Sequence, residues 1–174
     1  MRVLFELDKK DYNPDGTRFV RPSVRGIIIK DGLIAMVHSQ KYDYYKFPGG
    51  GIEGEEEHAA TLAREVREEV GLTIIPQSIR EYGIVHRIQK GLKEDMFIQD
   101  NYYYFCDVEQ EVLSQKLDDY EDEEQFELIY VTPQEAIITN RNADHGSKTE
   151  NQIDEIMIDR EARVLEMLIE EKYF

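Results

Sequence analysis

The chain has 174 residues, 41% hydrophobic and 33% charged, with a formal net charge of −16 from 37 acidic and 21 basic side chains. That length suits one domain with its own core, and the negative field disfavours nucleic acid and anionic membrane as partners. No apolar run approaches the roughly 20 residues of a bilayer span, residues 1–10 lack a signal-peptide core, and Cys106 is the sole cysteine. The expectation is a single cytoplasmic domain over 1–174 without an internal disulfide.

Val24 to Ile29 is β-branched, Asp31-Gly32 follows, and Leu33 to Val37 is apolar. This predicts a hairpin closed at Asp-Gly. Tyr42, Tyr44, Tyr45 and Phe47 come next. They are either flat faces for a base or strand residues packing on a sheet. Lys46-Phe47-Pro48-Gly49-Gly50-Gly51 is a loop of wide backbone freedom. Glu57 to Val70 predicts a helix, with Ala59, Leu62, Ala63, Val66 and Val70 as its apolar stripe. Gly71 stands where a C-cap glycine belongs. Strands are predicted at Tyr82 to Ile88, Met96 to Val108 and Phe126 to Val131. Thr132, Pro133 and Glu135 form a helix start, with a short helix through Ile138. Thr149 and Gln152 repeat the capping spacing. Ile153, Ile156, Met157, Val164, Leu165 and Leu168 make a second long stripe, and Asn140 to Lys148 is the most polar loop. This order of elements suggests a sheet with helices on both faces, an α/β fold.

The chemistry concentrates between Gly50 and Leu72. Glu65, Glu68 and Glu69 stand at i, i+3 and i+4 and leave the predicted helix from one face, with Val66 and Val70 on the other side. Like charges at that spacing cost an isolated helix about 0.2–0.5 kcal/mol per pair. Seven glutamates stand between Glu53 and Glu69, against Arg64 and Arg67. A solvated face tolerates this, and divalent cations among the carboxylates relieve it. Oxygen donors in this number suit a hard ion, Mg²⁺ or Mn²⁺.

The segment resembles the Nudix box, G-x5-E-x7-R-E-U-x-E-E-x-G-U, where U is aliphatic. Gly50, Glu56, Arg64, Glu65, Val66, Glu68, Glu69, Gly71 and Leu72 fill all nine specified positions within 23 residues. Phe47-Pro48-Gly49-Gly50 is also similar to the usual approach to the box. One departure is Glu55 before Glu56, where many members have glycine; here the glycine is Gly54. The resemblance implies a Nudix-like α/β/α sandwich with a mixed β-sheet between helices. It also implies that Glu65, Glu68 and Glu69 bind the metal and activate water, and that Gly50, or Gly49 beside it, offers a carbonyl to the metal. Arg64 would orient the glutamates, together with Glu56. Members often add an acidic residue from a later loop, for which Glu121, Glu123 and Glu124 are the candidates. The implied reaction is Mg²⁺-dependent hydrolysis of a phosphoanhydride in a nucleoside triphosphate, or in a nucleoside diphosphate linked to another moiety. The implied partner is a small nucleotide derivative, and a homodimer is compatible.

Other signals are weaker. Arg25, Tyr45 and Phe47 are candidate substrate-binding residues, with Arg87 and Lys90 as further cations for phosphate. Tyr102 to Phe105 alternate faces and favour core packing. His38, His58, His86 and His145 lack a zinc-site spacing. Gly146-Ser147-Lys148 is not a P-loop. Two competing functions keep the fold: a nucleotide-binding sensor without turnover, and a diphosphate-using isomerase that would recruit Cys106.

Overall fold

The computed structural model describes residues 1–145 and 155–174. In chain order the strands are β1 (Val3–Asp8), β2 (Arg18–Val20), β3 (Ser23–Ile27), β4 (Ile29–Lys30), β5 (Leu33–Ser39), β6 (Tyr44–Lys46), β7 (Leu72–Ile74), β8 (Arg80–Gln89), β9 (Met96–Phe105), β10 (Val108–Val112) and β11 (Phe126–Val131). The helices are α1 (His58–Val70), between β6 and β7; α2 (Asp119–Glu123), between β10 and β11; α3 (Pro133–Asn142); and α4 (Glu155–Glu170).

One mixed sheet runs β1-β8-β9-β2, with β3 also pairing β9. The β8–β9 pair is antiparallel, whereas β1, β2 and β3 add in parallel. A second sheet sets β5 between β11 on one edge and β4 and β6 on the other. The β-branched run at Val24 to Ile29 therefore serves both sheets, changing partner at Ile28. The hairpin β4–β5 turns at Asp31 and Gly32, whose φ values of 53° and 76° are those of a two-residue primed turn. The expected strand from Met96 to Val108 ends at Phe105, and β10 leaves to form a separate ribbon with β7.

Alternation along β5 divides the core. Ala35 and Val37 join Leu62, Val66 and Val70 of α1 in one cluster. Ile34 and Met36 join Ala136 of α3 and Val164, Leu165 and Leu168 of α4 in the other. Each fully buried Val, Leu, Ile or Met among them contributes roughly 1.5–3 kcal/mol. Helices thus cover opposite faces of the strands, as the order of elements suggested. The buried face of α1 is Thr61, Leu62, Val66, Glu69 and Val70, whereas Ala59, expected in the stripe, is exposed. Gly71 ends α1 at φ 71°, with its N–H on the Arg67 carbonyl. Thr132 and Glu135 cap α3 reciprocally, and the helix runs past Ile138 to Asn142. The expected cap at Thr149 and Gln152, the triplet Gly146-Ser147-Lys148, and Ile153 lie outside the described residues. No described helix is long and apolar enough to cross a membrane.

Candidate active site

The glycine turn carries the chain from β6 to α1. Gly49 takes φ 135°, and the backbone then binds β3, Val24 N–H to Gly50 O at 3.0 Å and Gly26 N–H to Pro48 O at 2.8 Å. Gly54, at φ 55°, makes the turn before the first motif glutamate, with Glu56 N–H on Glu53 O at 3.0 Å. The departure at Glu55 is thus absorbed one residue earlier.

α1 presents its carboxylates to this turn at three depths. Glu68 is the most open, and Glu65 is half-buried. The Glu65 carboxylate lies so close to Gly50 that a Cβ there would stand 2.1 Å from its Oε2. Burial pushes the Glu65 carboxyl up, against the pull of the Arg64 guanidinium. Glu69 is only 1% exposed. It accepts from Lys46 Nζ at 2.6 Å and from Gly49 N–H at 2.8 Å, so it joins helix, strand and glycine turn. Its depth differs from the open carboxylate face that the spacing suggested.

Arg64 donates to both Glu56 oxygens, at 3.2 and 2.9 Å, to Glu65 at 2.6 Å and to Glu68 at 3.3 Å. A guanidinium can hold this fork because its donors are planar and fixed. Hydrogen bonds from Arg64, and then from Thr61, hold the Glu56 carboxyl well down, at about 2.

The segment after β10 closes the other side. Lys116 N–H bonds Glu68 O at 2.8 Å, and Gln115 donates its amide to Glu69 O. α2 then brings Glu121 inward, 5% exposed, where it accepts from Asp118 N–H and the Tyr120 hydroxyl, each at 2.9 Å. Burial, and then the charge of Glu69, push the Glu121 carboxyl up to about 7. The result is a cleft of about 380 Å³ whose lining includes Gly50 and Gly51. Six carboxylates (Glu53, Glu65, Glu68, Glu69, Asp118, Glu121) line it against three cations (Arg21, Arg64, Lys116).

Whether this cleft suits a divalent cation is decided by its donors and charge. All the donors are oxygens, the preference of Mg²⁺, and the repulsion from Glu69, which adds to burial in raising Glu121, is what a cation would relieve. Among the described residues, no three acidic, histidine or cysteine side chains are gathered into a metal-binding group. Instead Lys46 holds Glu69 and Arg64 holds Glu65. The donor set fits, with side-chain rotation needed to converge.

A second cavity of about 290 Å³ adjoins the cleft, sharing Arg21 and Tyr120 with it. Arg25, Tyr42 and Tyr44 line it, but the candidates Tyr45 and Phe47 do not. The reason is the pleat: Tyr44 and Lys46 point one way from β6, and Tyr45 and Phe47 the other. Tyr45 stacks on His38 at 4.5 Å between ring centres, and Phe47 is fully buried, edge-on to Tyr103. Glu124 is placed elsewhere too. It lines this second cavity and accepts from the Tyr44 hydroxyl at 2.7 Å, while Glu123 pairs with Lys41 at the surface. Of the three downstream candidates, Glu121 alone lines the acidic cleft. Cys106 is buried beneath α1 with its thiol pushed up to about 12, which disfavours the isomerase reading. His58 donates to or accepts from the Tyr104 hydroxyl at 2.6 Å and takes no part in the cleft. Lys46, Arg21 and Lys116 were not foreseen, since only the folded chain brings them to the glutamates.

Residues 20–152 match the family model described as the NUDIX domain. The chain belongs to the Nudix family. It is a Nudix-type hydrolase, and hydrolases of this family act on small nucleotide derivatives. No curated protein sequence matches it. Solved structures share the fold at low identity. A NUDIX hydrolase from Nitrosomonas europaea is 16% identical with a TM-score of 0.55, over 84% of this chain and 90% of that one. A structure from a study of MutT from Aliivibrio salmonicida and Vibrio cholerae is 15% identical with a TM-score of 0.53, over 88% and 99%. The MutT NUDIX hydrolase from Burkholderia pseudomallei is 14% identical at 0.51, over 81% and 97%.

Proposed function

We propose that this Nudix hydrolase, acting as one cytoplasmic domain, uses Mg²⁺ or Mn²⁺ to hydrolyse a phosphoanhydride in a nucleoside triphosphate or a nucleoside diphosphate linked to another moiety. The supporting observation is that Glu65, Glu68, Glu69 and Glu121 all line one cleft beside the Gly50–Gly51 backbone. A bound divalent cation supplies neutralisation of the phosphate oxygens and acidification of water. The four carboxylates and the Gly50 carbonyl would hold it. Arg64 keeps Glu65 and Glu68 in place, and a cleft carboxylate takes a proton from the attacking water. The water oxygen joins one phosphorus as the bond from that phosphorus to the bridging oxygen breaks. The bridging oxygen leaves on the second phosphate, so both products are phosphates.

The test is a panel of nucleoside triphosphates, ADP-ribose and dinucleoside polyphosphates with Mg²⁺, reading phosphate after phosphatase treatment. At least one compound should turn over. EDTA should reduce that rate to background, and added Mg²⁺ or Mn²⁺ should restore it. Tight binding of a panel member without turnover would replace the enzyme with a nucleotide sensor, and a chelator-resistant rate would remove the metal from the mechanism.

Arg64→Ala should lower kcat by about 10–100-fold, as expected when a group that orients metal ligands is lost. Arg64→Lys should recover little, lacking the planar fork. Unchanged kcat in Arg64→Ala across a Mg²⁺ titration would show that the glutamates orient themselves.

A further inference from the structure

The cavity beside the cleft has a charge unlike the rest of the chain. Arg21 from the β2–β3 connection, Arg25 from β3, Lys46 from β6, Arg87 from β8 and Arg160 from α4 all line it. Five separate segments of a protein with net charge −16 thus place cations around about 290 Å³. Among the described residues Glu124 is the one carboxylate on its lining, and it is engaged by the Tyr44 hydroxyl.

Part of this positive charge is held in position by neighbours. Lys46 is fixed by Glu69, Arg87 donates to Gln89 at 2.7 Å, and Arg160 donates to Asn101 at 2.6 Å and to Glu161. Such contacts preorganise the donors around a ligand. Arg25 adds donors of its own: its Nε and Nη1 are buried with no hydrogen-bond partner among the described residues. A buried guanidinium N–H without an acceptor is a costly arrangement, and an anion in the cavity would satisfy it. Lys46 and Arg160 are each compensated by a carboxylate, so the charge offered to a ligand comes chiefly from Arg21 and Arg25, and arginine forks suit phosphate oxygens.

We propose that this cavity binds a phosphate group that the substrate carries beyond the scissile anhydride. The preferred substrates are then diphosphates whose linked moiety is itself phosphorylated. Arg21 and Tyr120, shared by cleft and cavity, mark the path from one to the other. Placing the anhydride in the cleft rests on the activity proposed above, whereas the anion site stands on its own residues.

Calorimetric titration of the full chain in EDTA, where phosphate cannot bind through a metal, tests the site directly. One pair of probes is adenosine 5′-monophosphate and adenosine 3′,5′-bisphosphate. The other is fructose 6-phosphate and fructose 1,6-bisphosphate. The bisphosphate of at least one pair should bind tenfold or more tightly than its monophosphate, and the pair that does so tells a nucleoside from a sugar as the carrier. Arg25→Gln should bring that ratio close to one. If this variant does not fold, Arg21→Gln, at an exposed position, should lower the ratio severalfold. Equal binding within both pairs, or a preference that survives substitution, overturns the anion site and leaves the hydrolase reading intact. Failure of the Mg²⁺ panel, extended to diphosphates whose linked moiety is phosphorylated, with the bisphosphate preference preserved would do the reverse.

Discussion

Glutamine at position 65 should reduce turnover by about 10²–10⁴-fold, the range for losing a positioned proton-transfer group, while the protein unfolds at nearly its original temperature. Glutamine at position 69 should reduce turnover by a similar factor and also destabilise the fold. The two residues share a motif but differ in depth. Glu65 is half-buried and bonded to a guanidinium that keeps Glu56 and Glu68 as partners. Glu69 is buried against the Lys46 ammonium, itself only 7% exposed. Removing one partner of a buried pair costs about 3–5 kcal/mol because the other charge is left uncompensated. Glutamine keeps one oxygen toward Lys46, which favours the lower end, and the unfolding midpoint should fall by roughly 6–12 °C. Adding Lys46→Met to Glu69→Gln removes the stranded charge, so the midpoint should recover while the rate does not. Calorimetry and kcat on the four proteins separate the two effects. Full turnover in Glu65→Gln would remove that carboxylate from the chemistry, and an unshifted midpoint in Glu69→Gln would deny the ion pair any part in stability.

Local signals found the hairpin at Asp31-Gly32, α1 with its C-cap at Gly71, β11, and the reciprocal cap of α3, because turn residues and apolar periods act over a few positions. They did not find β1, β2 or β7. These strands exist because β8, β9 and β10 offer an edge far away in sequence, and no short window contains that partner. The break after Phe105 is of the same kind. The run from Met96 to Val108 is β-prone throughout, yet it divides where its two ends join different sheets.

In the site, helical spacing placed Glu65, Glu68 and Glu69 on adjoining positions of one helix, but it carried no information on what covers them. Glu69 is buried by β6 and the Gly49 turn, a tertiary contact. The aromatics before the glycines show the complementary difficulty. Alternation in a strand guarantees that Tyr44 and Tyr45 face opposite ways, but the sequence does not say which parity meets the cavity. Choosing Tyr45 and Phe47 selected the core face, and Tyr44 with Lys46 occupies the other. Glu121, Glu123 and Glu124 were inseparable for a related reason. They stand on one short helical turn and its end, and only the phase of that turn directs Glu121 to the cleft, Glu123 to Lys41 and Glu124 to Tyr44.

Adjacent glycines in the turn should fail in opposite ways when replaced by alanine. At Gly49 a Cβ would stand 2.2 Å from the Val24 carbonyl oxygen and 3.1 Å from the Arg25 Cα, at φ 135°. Both neighbours are backbone of β3, which is fixed by its ladder to β9, so neither can yield, and the torsion itself is unfavourable for alanine. Gly49→Ala should therefore cost more than about 4 kcal/mol, in the rare tail of single substitutions, and the protein should be recovered partly or wholly unfolded. At Gly50 the three atoms nearest a Cβ would all belong to the far end of Glu65, the closest being its Oε2 at 2.1 Å. A carboxylate on a flexible stem can rotate away. Gly50→Ala should fold with a midpoint within a few degrees of the parent, yet lose about 10²-fold in kcat, since displacing a reacting group by about 1 Å is enough for that loss. Circular dichroism melts and steady-state rates on the two variants decide the matter. A folded, fully active Gly49→Ala would mean that the turn is not held against β3 as described, and undiminished kcat in Gly50→Ala would show that the position of the Glu65 carboxylate is immaterial to turnover.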